Sequence, residues 1–367
     1  AMKQDVLNWC EGKSPSKMIS KETLNHPGLI EAVSGLNVYT HTREAYLRAY
    51  EALGIDIINR VPIGNSPLPT PQGVVREHPY LPYNYSNLGV YDTVLRNKYL
   101  VDQYEDIYKL SPHEFNYSDL IVPVPHSCES EDILLRQQAL GNIGLYYPML
   151  YTTLFMWGVE FLGHEHFSLA SMIDPEKFHD SFLIPAAKKA EKIVRKIADS
   201  SESPIVFLHD DLASATGPLF PPEWYDEYVF PHYHEIFKPA KEKGKKIVMV
   251  ADGNMGDFLE KLVEHGVDGL MFENPATNID KVIDVFSGTG NFLIGGIDTS
   301  KLTFGTPEEV KKMVCLLAKK VKDIPGFAIA SCGGLHGNIP LENLEAYFDA
   351  RVEIGATPEG WRTNKHV

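Results

Sequence analysis

The chain has 367 residues, and 49 Asp and Glu residues against 34 Lys and Arg residues give it a formal net charge of −15. An acidic balance of this size excludes a protein that binds nucleic acid non-specifically, because such binding needs a basic surface. The length fits two domains or one α/β barrel with insertions, and the composition, 44% hydrophobic and 23% charged, is that of an ordinary globular protein.

Only four cysteines occur, and no two of them form a CxxC pair. This excludes a disulfide framework and predicts a reducing compartment, which we take to be the cytoplasm. No basic segment followed by an apolar one stands at the start of the sequence, so no secretory signal is expected. The apolar run at residues 139–159 is interrupted by Pro148, and it predicts a buried strand followed by a helix rather than a membrane span.

The first part of the chain predicts a cap and the first three strands of a barrel. Residues 1–50 are polar with a helical pattern, and they predict an N-terminal helical cap on a barrel that occupies residues 51–367. Residues 54–64 predict the first barrel strand, residues 118–125 the second and residues 142–151 the third.

An insertion at about residues 66–111 separates the first two of these predicted strands. Residues 66–89 are rich in Pro and Tyr and predict a long loop, and such loops often cover or bind a ligand. Residues 90–111 alternate in polarity around residues 96–98, which predicts a β-hairpin.

From about residue 200 onward, short apolar runs alternate with charged segments of helical period. This alternation predicts βα units and a parallel sheet, and runs that are apolar on both faces fit the wall of an α/β barrel. The five strand runs are PIVFLHDD (204–211), KIVMVADG (246–253), DGLMFENP (268–275), NFLIGGID (291–298) and GFAIASCGG (326–334).

Polar residues follow these predicted strands. In a parallel barrel the carboxyl ends of the strands share one face, and active sites lie there. A single Asp after a strand is often only a helix N-cap, but a succession of polar strand ends indicates a functional face. The residues concerned are His209, Asp210 and Asp211, Asp252, Glu273, Asp298, and Ser331 with Cys332.

Cys332 is the cysteine with a candidate function. A buried cysteine is most often an inert apolar residue, but the glycines that follow Cys332 let a ligand approach closely. Together with the carboxylates of Asp252 and Glu273 it gives one thiolate and two oxygen ligands, an uncommon but chemically reasonable zinc site. The predicted metal ligands are therefore Asp252, Glu273 and Cys332.

Three segments of the chain resemble the uroporphyrinogen decarboxylase superfamily. They are HDDLASATGPLFPPEWYDEYVFPHYHEIFKPAKEKGKKIVMVADGN (209–254), GTPEEVKKMV (305–314) and SCGGLHGNIPLENLEA (331–346). The resemblance covers the chain from about residue 155 onward and implies a (β/α)8 TIM barrel. It also implies one of two activities: decarboxylation of a porphyrinogen, or zinc-dependent transfer of a methyl group to or from a corrinoid protein.

The sequence favours the methyltransferase branch. The decarboxylase branch has an N-terminal Arg-Gln-Ala-Gly-Arg segment that grips an acidic substrate, and residues 20–60 hold only the scattered Arg43, Arg48 and Arg60. The methyltransferase branch has a His-x-Cys-Gly-Asn motif, where this chain has Val250 for the His and Asp252 for the Cys. Glu273 and Cys332 match the later Glu and Cys of the resemblance.

The expected reaction is the cleavage of a methyl ether. Carboxylate ligands leave more positive charge on zinc than thiolates do, which favours polarising an ether oxygen over activating a thiol. We therefore expect O-demethylation of a methoxylated aromatic donor, with the methyl group passing to the Co(I) corrinoid, a cobalamin, of a partner protein. Neither a nucleic acid nor a membrane is expected as a partner.

Further residues are expected around this reaction. His209, Asp210 and Asp211 would orient the substrate or give a proton to the leaving oxygen, or else act as a helix cap with solvated neighbours. His336 would replace the missing histidine as a ligand or proton donor. Aromatic residues of 146–157 would line the cavity, or pack as ordinary core. The predicted substrate-binding residues are Tyr147, Tyr151 and Asn254.

Two other functions stay open at this point. One is a lyase of the decarboxylase type on the same barrel. The other is a barrel that has lost its metal and binds a small molecule without catalysis. Metal content separates the methyltransferase from the second of these alternatives.

Overall fold

The computed structural model describes residues 2–13, 15–63, 75–77, 83–87, 92–96, 101–109, 130–286 and 292–362. Eight parallel strands follow one another around a barrel in the order of the chain, which confirms the predicted (β/α)8 TIM barrel. The strands are β1 (Ile19–Lys21), β2 (Ile57–Ile58), β3 (Leu145–Tyr146 and Met149–Leu150), β4 (Ile205–His209), β5 (Lys246–Ala251), β6 (Gly269–Phe272), β7 (Phe292–Ile297) and β8 (Phe327–Ser331).

The two pieces of β3 close the barrel, because each piece pairs with a different neighbour. Leu145–Tyr146 pairs with β2, and Met149–Leu150 pairs with β4. Pro148, which has no backbone N–H to donate, lies between the two pieces. Strand β1 pairs with both β2 and β8, so the ring of strands is complete.

Helices surround the strands. Within the described ranges, no helix combines the length and the apolar character that a membrane crossing requires. A 3-10 helix covers Tyr104–Lys109 and a π-helix covers His179–Leu183. The α-helices are α1 (Met2–Cys10), α2 (Pro27–Ser34), α3 (Thr42–Leu53), α4 (Ser130–Leu140), α5 (Leu154–Ile173), α6 (Pro175–Phe178), α7 (Ile184–Ser200), α8 (Pro222–Tyr228), α9 (Phe230–Glu242), α10 (Leu259–Glu264), α11 (Ile279–Phe286), α12 (Thr299–Phe304), α13 (Pro307–Val321) and α14 (Leu341–Glu353).

The barrel separates two hydrophobic cores. Successive side chains of a strand point to opposite faces, so alternate residues enter the barrel and the others meet the helices. The interior core includes Phe207 of β4, Val248 of β5 and Ala330 of β8, and helix α1 closes its lower end with Val6 and Trp9. The outer core, between strands and helices, contains the residues of opposite parity.

Two strand assignments from the sequence need correction. Ile19–Lys21 is the first barrel strand, so residues 1–50 contain α1, α2 and part of α3 but also a piece of the barrel wall. Residues 54–64 supply the second strand, not the first, and residues 142–151 supply the third, as predicted. The predicted strand at 118–125 lies outside the described residues.

The insertion contains an antiparallel sheet. Its strands are Val75–Glu77, Tyr83–Asn87 and Asp92–Arg96, paired in that order. The predicted hairpin at 90–111 is therefore wrong, because residues 92–96 pair backward with 83–87 and residues 104–109 form a 3-10 helix. The polarity pattern of the sequence does not distinguish these two registers.

Candidate functional site

The mouth of the barrel is lined by side chains that continue the inward-facing series of the strands. Because side chains alternate along a strand, a residue two positions after an interior residue also faces inward. Five polar residues at the carboxyl ends of strands stand in this position, and we call them the mouth residues: Lys21, His209, Asp252, Glu273 and Cys332.

His209, Asp211 and Asp252 form the tightest polar group at the mouth. Among the described residues, they are the three potential metal ligands whose ligand atoms all lie within 4.8 Å of one another. The His209 Nε2 atom lies 2.9 Å from Asp211 Oδ1, and the backbone N–H of Asp252 donates to the same oxygen at 2.7 Å. His209 is buried, Asp211 is half-buried and Asp252 is exposed, so the group opens toward solvent on one side.

The three side chains shift one another's pKa values. Burial lowers the pKa of His209, but the hydrogen bond to Asp211 and the surrounding carboxylates outweigh it and raise that pKa above its usual value. The pKa of Asp211 is lowered, because the hydrogen bond and charge of His209 outweigh burial. Burial, with the charges of Asp211 and Glu273, raises the pKa of Asp252 to about 6.

Glu273 holds the loop that carries Asp252. Its Oε2 atom accepts a hydrogen bond of 2.8 Å from the backbone N–H of Gly253. Gly253 has a φ of +78°, and a Cβ at this position would lie 2.4 Å from the carbonyl oxygen of Ala213. Only glycine fits here, so this close packing and the bond from Glu273 fix the position of Asp252.

Cys332 faces the interior core, and its Sγ atom contacts the carbonyl oxygen of Phe272. Burial is the main cause that raises the pKa of its thiol, and the charge of Asp252 adds to it. The ligand atoms of the predicted trio, Asp252, Glu273 and Cys332, do not come together within 4.8 Å. Asp252 instead lies in a group of potential metal ligands with His209 and Asp211.

Asp210 does not lie in the site. It directly follows His209, which faces the barrel interior, so its own side chain points to the outer side of the barrel. Its side chain is fully buried, and it accepts hydrogen bonds from the backbone N–H groups of Phe155 and Met156 at the start of α5. The Tyr233 hydroxyl of α9 donates to it as well, at 2.8 Å. Burial raises its pKa to about 6. For Asp210 these contacts support the helix-cap alternative over a role in substrate orientation or proton transfer.

A cavity of about 520 Å³ opens beside this group, over the ends of β6, β7 and β8. His336, predicted as a ligand or proton donor, lines this cavity, and burial lowers the pKa of its imidazole. His336 is not among the residues whose ligand atoms cluster around Asp252. The polar lining includes Asp252, Glu273, Asp298, Thr299, His336 and Asn338.

The three predicted substrate-binding residues have different environments. Tyr147 lies in the interior core, with its ring centroid 4.0 Å from that of Phe207. Tyr151 is 51% exposed and packs edge-on against the His209 ring, so it can contact a substrate at the mouth. Asn254 binds its own loop, since its Oδ1 atom accepts the N–H of Gly256. The role of Asn254 in binding a substrate stays a prediction.

Lys21 is the mouth residue that the sequence analysis missed. It is only 3% exposed, and burial lowers its pKa against the opposing charges of Glu22, Cys332 and Asp252. Strand β1 has three residues, which is too short for an alternating pattern to be recognised. The spacing of Ile19 and Lys21 becomes informative only once the strand itself is known.

Comparison with known proteins identifies the family to which the chain is similar. The family model described as Uroporphyrinogen decarboxylase (URO-D) matches residues 163–354. A uroporphyrinogen decarboxylase of Carboxydothermus hydrogenoformans is 27% identical over 243 residues, which are 64% of this chain and 65% of that protein. The chain thus matches slightly less than two thirds of the length of this relative.

The fold is similar to that of a solved methyltransferase from Methanosarcina mazei. The TM-score is 0.65 with 17% identity, over 96% of this chain and 98% of the other. The family model runs from α5 to the end of the barrel and contains the whole His209, Asp211 and Asp252 group. The chain therefore belongs to the uroporphyrinogen decarboxylase family.

Proposed function

We propose that this protein is a zinc-dependent methyltransferase that moves a methyl group from a methoxylated aromatic donor to the Co(I) corrinoid, a cobalamin, of a partner protein. The observation that carries the proposal is the convergence of His209, Asp211 and Asp252 beside the cavity. The fold it shares with a methyltransferase supports the same reaction class.

The residues present fit a zinc ion. One imidazole nitrogen and two carboxylate oxygens are ligand types that zinc accepts, and three protein ligands leave a position open for a substrate atom. The His209 Nε2 atom faces Asp211 Oδ1 at 2.9 Å, so an imidazole nitrogen and a carboxylate oxygen are already close together. Zinc bound by His209, Asp211 and Asp252 would supply Lewis-acid chemistry toward the ether oxygen of the donor.

The other residues of the site bind and orient. Glu273 fixes the loop of Asp252 through the Gly253 N–H. The exposed ring of Tyr151 offers an apolar wall next to His209. His336 has a lowered pKa and is neutral near pH 7, so it acts as a hydrogen-bonding group in the cavity rather than as an acid.

In the part of the chain that the structure describes, the mouth is the open side from which the acceptor can reach the donor. Helix α1 closes the lower end of the barrel with Val6 and Trp9, and helices pack against the outside of the strands. Phe304, at the end of α12, lines the cavity and is 87% exposed, so the rim offers an apolar contact for a partner protein.

A lyase of the decarboxylase type is the second candidate, because the curated relative is a uroporphyrinogen decarboxylase. The charges at the mouth disfavour a substrate with many carboxylates. Asp211, Asp252, Glu273 and Asp298 all lie on this face, and like charges would repel such a substrate.

Methyl transfer to free cob(I)alamin tests the proposal. The zinc-loaded protein is mixed with cob(I)alamin and a methoxybenzene, and the spectral change to methylcobalamin is followed. We expect turnover that becomes faster as the departing phenol becomes more acidic, because negative charge develops on its oxygen in the transition state.

Methanol, methylamines and glycine betaine serve as the comparison donors in the same assay. Turnover of one of these, with none of any methoxybenzene, would contradict the ether-cleavage proposal. Decarboxylation of a porphyrinogen with no methyl transfer from any donor would favour the lyase instead.

A further inference from the structure

Lys21 is a buried cation without an ion-pair partner. Its Nζ atom donates one hydrogen bond, to Thr23 Oγ1 at 2.9 Å, and within the described residues no carboxylate oxygen lies within 4.0 Å of it. The neighbouring carboxylate of Glu22 lies on the opposite face of the strand, where it binds Ser331, Tyr347 and Arg351. Lys21 therefore has two N–H donors that nothing in the described chain accepts.

This arrangement is costly unless something pairs with the ammonium group. An ammonium group taken out of water loses its hydration, and a partner of opposite charge must offset that loss. Half-buried Lys17, by contrast, has such a partner in Asp56 at 2.8 Å. A buried lysine without a carboxylate partner at the carboxyl end of a barrel strand is a candidate binding residue.

Lys21 lies near other buried polar groups on the neighbouring strands of the barrel. Lys21 pairs in register with Ile57 of β2, and β2 pairs with β3, which carries Tyr147. The Tyr147 hydroxyl and the Oδ1 atom of Asn59, two positions after Ile57, are both buried without hydrogen-bond partners. Polar atoms with unused hydrogen-bonding capacity thus lie in β1, directly after β2 and between the two pieces of β3, while the His209, Asp211 and Asp252 group begins at β4 and β5.

We propose that Lys21 binds a carboxylate of the methyl donor, and that the donor is therefore a methoxylated aromatic acid. The inference rests on the proposed function for the rest of the donor. The carboxylate accepts hydrogen bonds from the two unused N–H groups of Lys21. This places the carboxylate end of the donor at β1. The methoxy end then lies toward His209 and Asp252, across the mouth. A divalent metal held by His209, Asp211 and Asp252 would balance two of the four carboxylates on this face, and the ammonium group of Lys21 would balance the carboxylate of the donor.

Calorimetric binding of para-methoxybenzoate and para-methoxybenzamide to the zinc-loaded protein tests this subsite. The two probes have the same ring and nearly the same size but differ in charge. We expect the native protein to bind the acid at least about tenfold more tightly than the amide, as a charge-assisted hydrogen bond contributes. Lys21→Met should remove this preference. Lys246→Met is the matched control, since Lys246 lies at the opposite end of the barrel over the Phe292 ring and should leave the preference unchanged.

Thermal unfolding of the same variants separates a binding role from a structural one. Without any ligand, Lys21→Met should raise the melting temperature, because it removes an unpaired buried charge. Lys21→Gln provides a second neutral variant with a polar end, and it should also lose the preference for the acid. A clear fall in the melting temperature of both variants would indicate a structural lysine and overturn the inference.

The outcomes separate this inference from the proposed function. Failure of the native protein to bind the acid, or equal affinity of native protein and Lys21→Met for it, overturns the subsite. Lys21-dependent binding of the acid without methyl transfer from any donor supports the subsite and contradicts the methyltransferase. If native protein and Lys21→Met transfer methyl groups equally well from neutral and acidic methoxyarenes, the methyltransferase is supported and the Lys21 subsite is contradicted.

Discussion

Asp252→Asn is expected to lower the affinity of the protein for zinc by more than about 100-fold. Loss of a residue that only hydrogen-bonds to a metal ligand lowers the affinity by about 10- to 100-fold, and loss of a ligand should have a larger effect. The substitution keeps the size of the side chain but replaces a charged oxygen ligand by a neutral amide. His209→Ala should have an effect of the same size, because it removes the nitrogen of the group. Competition with a chromogenic zinc chelator measures both affinities.

Asp298→Asn is the matched control for this experiment. Asp298 lines the same cavity but caps α12 by accepting the N–H of Lys301, so its loss should leave zinc affinity within a few-fold of native. Cys332→Ser and Glu273→Gln decide between the two ligand sets. A large loss of zinc in both, with none in His209→Ala, would restore the trio of Asp252, Glu273 and Cys332 predicted from the sequence.

Arg351→Met is expected to destabilise the barrel by about 3–5 kcal/mol, because it leaves a buried carboxylate without its cation. Arg351 of α14 and Glu22 are both fully buried, with Arg351 Nη1 3.4 Å from Glu22 Oε1. Glu22 also accepts hydrogen bonds from the Ser331 hydroxyl and the Tyr347 hydroxyl, so this network joins β1 to β8 and α14. Urea denaturation followed by circular dichroism measures the free energy of unfolding.

Arg362→Met provides the comparison on the surface. Arg362 pairs with Glu345 and Asp349, but these side chains are about one third exposed, and such pairs contribute at most about 1 kcal/mol. Equal losses for Arg351→Met and Arg362→Met would show that the buried pair does not hold the seam between β1 and β8. A double variant, Glu22→Gln with Arg351→Met, should recover part of the stability that the single change loses.

The regular half of the fold could be predicted from the sequence. Strands β4 to β8 are apolar on both faces and are separated by amphipathic helices, which is typical of a parallel barrel. Strand β1 could not be found in this way. It spans three residues, and its interior face is one apolar residue, Ile19, followed by a lysine.

The face of the barrel that carries the site could also be predicted, but not which residues share it. Asp210 and Asp211 are neighbours with the same side-chain chemistry, yet Asp211 meets His209 at the mouth and Asp210 caps α5 outside the barrel. The register of β4 decides this, since Phe207 and His209 point inward. The sequence shows where the strand ends but not which of its faces lies inside.

Which candidate metal ligands come together depends on distances across the barrel. Residues 209–211, 252, 273 and 332 all stand at or after strand ends, and Asp252, Glu273 and Cys332 were predicted among them as one thiolate and two carboxylates, with Glu273 and Cys332 also matching the resemblance. The loop held by Gly253 brings Asp252 toward β4, where its backbone N–H binds Asp211. This approach depends on one glycine with a positive φ, and sequence spacing alone does not indicate its direction.

X-ray absorption spectroscopy at the zinc edge of the zinc-loaded protein tests the ligand set most directly. We predict a first shell of nitrogen and oxygen atoms alone, at about 2.0–2.2 Å, for zinc bound by His209, Asp211 and Asp252. A sulfur atom at about 2.3 Å that disappears in Cys332→Ser would show that the thiolate of Cys332 is a ligand. This result would contradict a zinc site formed by His209, Asp211 and Asp252.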